Sequence, residues 1–482
     1  MSYRRFLHPL ARFPGPFFNS ITNLQWHFKL FEGNVHLDNQ HWHEVYGPVV
    51  RISPNHLSFS NLAAVKDIYG FGARESLRLE KDPQFFTPEI DGSLNIVNET
   101  NGNEHSRMRK MLSNAFSNSN LLSNDEIVIR RVNEFLDDLA ALGENEGSSG
   151  VDIKKLFSYV TFNIMGEMAL GNTFESLSSN QANRYTWADV IMKSSAMNDV
   201  MRGVALMPGL VALLSIYIPQ HFRDTIYRHF EYSSQYAEIR EHASIEQKDF
   251  MYHMLKSKMP NGQRVPKKEI ASHSLVIMMA GTVTTATSLT AVTYYLLTNP
   301  STVTKLRSEL DAHFSSIDEM TSKALMNCQY LNAVIQEGLR INPPAGAAHL
   351  PRVVPKGGSN IAGIFVPEGT SVSVHPFSLS MNPQNFHEPR TFMPERWITS
   401  ESEGQKGDRL EASVPFSFGP RGCIGKNLAY LELRMVLAKL FWKYDVEMTN
   451  TKEIKSWIDE SVGYTLWKNP PLDVHVRERR DF

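Results

Sequence analysis

The sequence predicts a mainly α-helical protein with a minor β region. Three observations carry that expectation. Lys267 to Thr298 is the longest helical pattern in the chain, and no Lys, Arg, Asp or Glu occurs from Ile270 to Thr304. Further helical patterns fill Asn23 to Val45, residues 124–200, residues 301–342 and Lys426 to Tyr444. The strand-like runs, by contrast, are short and separated by Gly and Pro. Composition is ordinary for a globular protein with a large core, at 42% hydrophobic and 21% charged residues. Length alone favours two or three domains. A net charge of −2 leaves no electrostatic footprint for nucleic acid, so no such partner is expected. Two cysteines, Cys328 and Cys423, make no disulfide framework, which fits a reducing compartment.

Residues 1–12 are basic and partly apolar, too short and polar to span a bilayer, and no signal-peptide core precedes them. Phe13-Pro-Gly-Pro16 is a stiff turn, so residues 1–16 read as a basic segment and Pro-rich hinge, with no membrane anchor expected. Asn23 to Val45 reads as helix, broken by Gly47-Pro48. Val49 to Ile52 and His56 to Phe59 then read as a hairpin. Residues 82–104 are loop-like. His105 opens a basic helix in which His105 and Arg109 share one face; alone, that pattern usually means a solvated face. Met192 to Tyr217, with Met192, Met197, Met201 and Met207, is either core or an adaptable apolar lid over a substrate channel that touches a membrane.

Lys267 to Thr298 has the length of a transmembrane helix, but seven threonines between Thr282 and Thr298 argue for a helix buried inside a large protein. At ~1.5 Å per residue it makes a rod of roughly 48 Å. Asn342-Pro-Pro344 stops the next helical region. Val353-Val354, Asn360 to Val366 and Thr370 to Val374 read as strands, residues 399–412 as a polar insert, and Ser461-Val-Gly463 as a turn dipping into a pocket.

Phe416-Ser-Phe-Gly-Pro-Arg-Gly-Cys-Ile-Gly425 leads into the helix that starts at Lys426. Its glycines and proline make a tight, irregular loop. Cys423 lies just ahead of a helix N-terminus, where the macrodipole and free N–H groups favour a thiolate, and Arg421 adds positive charge. A soft thiolate presented alone, without CxxC or a nearby His, suits a single bond to haem iron. On its own, though, a lone cysteine more often packs as a small hydrophobe.

The string Phe-x-x-Gly-x-Arg-x-Cys-x-Gly, matched at Phe416, Gly419, Arg421, Cys423 and Gly425, resembles the haem-thiolate loop of the cytochrome P-450 monooxygenases. Three further motifs occur in that family's order: Ala280-Gly-x-x-Thr284, Glu337-x-x-Arg340 and Pro394-Glu-Arg396. The resemblance implies a cytochrome P-450 fold, a single large domain over 17–482 around a buried haem b, and so overrides the length-based expectation. It implies Cys423 as the axial iron ligand, and His105, Arg109, Arg352 and Arg421 as propionate contacts. Ala280 and Gly281 would let the cofactor lie against the long helix. Thr284 would be the catalytic threonine that supports bound dioxygen and its proton supply. The family usually places an acid before that threonine; here it is Val283, which cannot relay protons. Glu337, Arg340 and Arg396 would clamp the structure and brace the Cys423 loop.

The function implied is insertion of one oxygen atom from O2 into a lipophilic small molecule. The loop style resembles filamentous-fungal members that decorate secondary metabolites. Electrons would come from an NADPH-dependent cytochrome P-450 reductase, since the chain has no GxGxxG unit of its own. Lys426, Arg434, Lys439 and Lys443 form either its docking face or a plain solvated helix face. Met278, Ala347, Leu350 and Val462 are the expected apolar channel residues. Resemblance points to the cytosolic face of the endoplasmic reticulum membrane, with peripheral contact through 204–217; a cytoplasmic location is the other expectation. Two rival readings are a haem-thiolate desaturase, ring-forming or rearrangement enzyme, motivated by Val283, and a non-catalytic haem-binding protein.

Overall fold

A computed structural model describes residues 2–72, 78–89, 91–145, 150–171, 238, 248–346, 349–398, 407–449, 454 and 456–479. Among them the α-helices are α1 (Leu24–Glu32), α2 (Val35–Tyr46), α3 (Leu62–Tyr69), α4 (Gly102–Ser113), α5 (Asn118–Ser123), α6 (Asp125–Asn145), α7 (Ile153–Leu170), α8 (Phe250–Lys256), α9 (Lys267–Leu297), α10 (Pro300–His313), α11 (Ser322–Leu325), α12 (Gln329–Ile341), α13 (Pro376–Ser380), α14 (Lys426–Lys443) and α15 (Trp457–Glu460). The strands are β1 (Val49–Ser53), β2 (His56–Phe59), β3 (Glu80–Lys81), β4 (Val151–Asp152), β5 (Arg352–Val353), β6 (Ser359–Ile361), β7 (Ile364–Val366), β8 (Ser371–Val374), β9 (Tyr444–Met448), β10 (Val462–Gly463), β11 (Trp467–Lys468) and β12 (Asp473–Glu478).

The long threonine-rich helix forms without a break as α9. Among the described residues it alone is long and apolar enough to cross a bilayer, yet most of it is buried inside the protein. Two of its threonines satisfy their hydroxyls within the helix: Thr284 Oγ1 donates to Ala280 O and Thr290 Oγ1 to Ala286 O, both at 2.7 Å. It packs along α7, and Gly281 permits the closest approach: a Cβ there would lie 2.7 Å from Met165 Cγ.

Local chemistry moves several boundaries. The helix expected from Asn23 to Val45 is two, α1 and α2. Gly33 between them has φ 74° and packs against Val462 too tightly for a Cβ. The helical region 301–342 divides into α10, a 3-10 turn at Ile317–Glu319, α11 and α12. There the Glu309 carboxylate on α10 accepts the free N–H groups of Tyr330 (2.7 Å) and Leu331 (2.9 Å), so α12 starts afresh. The loop 82–104 ends earlier than expected, because Asn101 caps α4 by accepting from Asn103 and Glu104 N–H. Asn360 to Val366 is a hairpin, β6–β7, turning at Ala362 (φ 49°) and Gly363 (φ 79°). Residues 172–200, the Met192–Tyr217 stretch with its 204–217 segment, Ala347 and residues 399–406 of the polar insert lie outside the described residues.

The main sheet has the order β1-β2-β8-β5-β3. Its β3–β5 pairing sets Lys81 opposite Arg352, which puts two cations at one place. A second sheet, β4-β12-β9, closes the C-terminal end against α6 and α7.

Where α2 meets the main sheet, four histidines form a buried hydrogen-bonded cluster that the sequence did not announce. His43 Nε2 and Ser58 Oγ lie 2.8 Å apart, and His56 Nε2 and Ser373 Oγ 2.8 Å apart. His349 shares Ser373 Oγ (2.7 Å) and reaches Asn39 Oδ1 (3.1 Å), with the His375 ring 4.8 Å away. Burial lowers His43 and His56 to about 4, and burial plus neighbouring histidines hold His349 well below its usual value. Because protons bind the unfolded chain better, stability is fully present above pH ~6.5 and is lost as pH falls towards about 4. The expected result is a urea midpoint lower at about pH 5 than at about pH 7.5, each displaced pKa unit being worth about 1.4 kcal/mol. His349→Gln should flatten that slope; an unchanged slope would remove the cluster as its source.

Candidate active site

The Cys423 loop is held in shape by backbone bonds. Cys423 N–H donates to Phe416 O at 2.8 Å and Gly422 N–H to Gly419 O at 3.0 Å. Gly419, with φ 73°, lies against the Tyr69 carbonyl, where a Cβ would collide. Gly425 then begins α14. The loop presents Cys423 to a cavity of about 320 Å³ that Phe416, Arg421 and Gly425 also line.

The wall facing the loop is α9. Ala280, Gly281, Thr284 and Thr285 line the cavity, with Val276 and Ile277 one turn earlier. Thr284 Oγ1 donates to Ala280 O at 2.7 Å, so its hydroxyl proton is held by the helix itself. Val283 is buried in the hydrophobic core and is not part of the lining, while Thr282 carbonyl accepts from Thr161 Oγ1 of α7.

At one edge the cavity is strongly cationic. His105, Arg109, Arg352 and Arg421 all line it, as the resemblance implied, and Lys81 joins them. Arg109 Nη1 donates to Gly422 O at 2.7 Å. Arg352 has carbonyl partners, Leu350 O (3.3 Å) and Pro351 O (3.1 Å), and stacks on Tyr69 and Phe86. Lys81 Nζ donates to Ile96 O and Val97 O, both at 2.8 Å. Arg421 pairs with Glu80 and donates to Glu99 O and Thr100 O. Burial, with mutual repulsion, lowers Lys81 to about 6, Arg352 to about 10 and His105 to about 3. His105 is therefore a neutral imidazole. Several buried cations share few carboxylates, an arrangement that acidic groups of a ligand would relieve.

For Cys423 the helix-terminus expectation is reversed in sign. Cys423 is exposed to the cavity, yet desolvation by the surrounding protein is the largest effect and raises the thiol. The Gly425 and Lys426 N–H groups and the Arg109 and Lys426 charges offset this only in part. The donor set nonetheless fits a haem: one soft sulfur, apolar walls with Ala280 and Gly281 on one side, and cations at one edge for its carboxylates. Coordination to a metal deprotonates a thiol outright, whatever burial does to the free group.

Glu337 is the hub of the expected clamp. It accepts from Arg340 Nε (2.8 Å) and Nη2 (2.7 Å), Arg396 Nε (3.0 Å), Trp397 Nε1 (2.9 Å) and Met393 N–H (3.1 Å). Both arginines are fully buried, and Arg396 also pairs with Asp408. The clamp ties α12 to residues 380–397 and 408, upstream of the Cys423 loop.

The cytochrome P-450 family model matches residues 13–476. The chain belongs to the cytochrome P-450 family. Among its relatives, the cytochrome P-450 monooxygenase astJ of Aspergillus oryzae is 33% identical over 99% of this chain and 94% of its own. The cytochrome P-450 monooxygenase BOT4 of Botryotinia fuckeliana is 36% identical over 98% of this chain and 87% of its own. The trichothecene C-15 hydroxylase of Fusarium sporotrichioides is 32% identical over 99% and 95%. This cytochrome P-450 is accordingly an oxidoreductase of the monooxygenase class, from a family that binds haem iron and works with a redox partner on small molecules.

Other expectations need correcting. Met278 is wholly buried in the core, and Val462 packs on Gly33 in the β10–β11 pair; neither lines the cavity, whereas Leu350 does. The turn at 461–463 is thus a strand edge and not a finger into the pocket. The four basic residues of α14 do not make one free face. Lys439 is buried and donates to Asn133 Oδ1, Arg434 donates to Asn332 Oδ1, and Lys443 lies 3.9 Å from Asp137. Lys426 is exposed. Sequence reasoning missed two charged lining residues, Lys81 and Glu432. Lys81 carries no local signal, because its neighbours come from strand pairing. Glu432 did carry one: a charge one turn beyond Leu428 on the apolar stripe of α14.

Proposed function

We propose that this cytochrome P-450 inserts one oxygen atom from O2 into a neutral, lipophilic small molecule, a fungal secondary-metabolite intermediate, in a catalytic domain spanning 17–482. The observation that carries the reading is one cavity holding a loop cysteine, the Ala280–Thr284 segment and the cationic edge. When bound, haem b would supply the iron redox chemistry that activates dioxygen, with electrons delivered from NADPH by a cytochrome P-450 reductase. Cys423 Sγ would hold the iron. Arg109, Arg352, Arg421 and Lys81 would hold the carboxylates, with neutral His105 beside them. Phe116, Ile277 and Leu350 keep the rest of the cavity apolar and exclude water. Thr284 Oγ1 holds a proton one bond from Ala280 O, ready to be redirected to a ligand.

The reduced protein with carbon monoxide should show a strongly red-shifted Soret band. With reductase, NADPH and labelled O2, a lipophilic substrate should gain one labelled oxygen. A product that loses hydrogen without gaining label would move the assignment to desaturation or ring formation. No NADPH turnover with any substrate would leave a haem-binding protein.

Cytochromes P-450 are often membrane-associated. At the N-terminal end Tyr3, Phe6, Leu7, Phe17 and Phe18 are exposed, and Arg5 lies over the Phe17 ring at 5.5 Å. Buried Arg51 nearby has carbonyl oxygens of Pro54 and Arg4 as its partners. Aromatic and arginine side chains interleaved in this way suit a membrane surface with anionic headgroups, such as the cytosolic face of the endoplasmic reticulum. The protein should cosediment with vesicles containing phosphatidylserine, and Phe6→Asp with Leu7→Asp should weaken that several-fold. Equal binding by the double variant would move the contact elsewhere.

A further inference from the structure

Glu432 lies on α14, nine residues after Cys423, and lines the same cavity. Its side chain is wholly buried, and among the described residues neither carboxyl oxygen has a hydrogen-bond partner. Its neighbours along the lining, Leu428 and Ala429, are apolar. The cations of its own helix are engaged elsewhere, Arg434 with Asn332 and Lys439 with Asn133.

Among the described residues, the elements packed against α14 offer no counter-charge either. On α10, Arg307 pairs with Asp445 of β9, Lys305 pairs with Glu395, and Glu309 receives the α12 N–H groups. On α12, Glu337 is held by its two arginines. On α6, Arg130 and Arg131 pair with Glu134 and Glu167, and Asp137 faces Lys443. Glu319, in the 3-10 turn, accepts Ser315 N–H, while Asp318 acts on Lys439. Lys323 of α11 and Glu447 of β9 are exposed. The cavity wall of α9 carries threonines and apolar residues. An ionised carboxylate in such a place is strongly unfavourable, whereas a carboxylic acid needs only one acceptor for its proton.

We propose that Glu432 is a neutral carboxylic acid in the folded protein: a positioning residue, its carboxyl buried behind the cavity wall, that keeps a second negative charge out of the site that holds Cys423. Burial alone pushes this acid well above the usual carboxylate range, with no neighbouring charge contributing. The protonation state follows from the chain's own residues. Only its consequence for the iron, a reduction potential set without a second anion nearby, rests on the haem reading.

The infrared spectrum of the holoenzyme at about pH 7.5 should contain a carboxylic-acid carbonyl stretch that shifts in D2O and is missing in Glu432→Gln. Urea unfolding supplies an independent readout. A raised folded pKa means stability is fully present below the unfolded pKa and is lost as pH rises above it. Relative to the non-titrating Gln variant, the wild-type unfolding constant should therefore rise about tenfold per pH unit from about pH 5.5 upwards until the folded acid itself ionises. A merely structural role would give a pH-independent difference. The reduction potential of Glu432→Gln should equal that of the wild type. A missing carbonyl band, a flat pH difference, or a more positive potential in the Gln variant would each overturn the proposal. If Glu432→Gln fails to fold, Glu432→Met serves for the infrared and urea arms. Should the red-shifted Soret band be absent while the infrared band is present, the haem reading fails and the Glu432 assignment stands.

Discussion

Cys423→Ala will lose the red-shifted Soret band of the reduced, carbon-monoxide-treated protein, and its turnover will drop to background. The sulfur is the one soft donor that the loop presents to the cavity. Among the described residues no group of three or more His, Cys, Asp or Glu could hold a metal in its place. The other cysteine, Cys328, cannot substitute: it is buried ahead of α12, and burial raises its thiol to about 11. Cys328→Ala should leave the spectrum intact and so serves as the control. Because the Cys423 side chain faces the cavity, its truncation opens no core void, and the haem-free variant should fold with a urea midpoint close to that of the haem-free wild type. The measurement is the difference spectrum of both variants beside the wild type. A red-shifted band that survives in Cys423→Ala would separate this loop from iron binding.

Glu337→Ala will be strongly destabilising. It removes five hydrogen bonds and leaves Arg340 buried without its carboxylate, while Arg396 keeps Asp408 and the His387 carbonyl. Breaking a buried ion pair from one side costs about 3–5 kcal/mol, comparable with the whole stability of many domains at about 5–15 kcal/mol. Soluble expression should fall sharply, and any folded fraction should have a much lower urea midpoint. Glu337→Gln keeps the shape and two acceptor lone pairs but not the charge, so it should fall between. A Glu337→Ala variant with a wild-type midpoint would show that the clamp contributes nothing net. Since the clamp ends at residue 408, the loss should appear as unfolding and not as a selective loosening of the Cys423 loop.

Much of this protein was legible because its signals are local. The helix periodicity of α9 and α14, the hairpin β1–β2 and the tight turns around Cys423 depend on residues a few positions apart. The four motifs stand in family order, and the full-length match to the family agrees with them. Helix boundaries were less legible. The start of α12 is set by Glu309, about twenty residues upstream, and the break at Gly33 by Val462, from the far end of the chain.

What the amino-acid order settled unaided was the mainly helical class, the cysteine loop and the family. What required the folded chain was the environment of each side chain. Lys439 looks like a solvated base and is buried on Asn133. Lys81 looks unremarkable and stands opposite Arg352 at the cavity edge. Cys423 sits where a helix terminus should acidify it, yet desolvation by the protein around the cavity outweighs that and raises the thiol. Desolvation and charge pairing depend on what surrounds an atom in space, and those surroundings come from residues hundreds of positions apart.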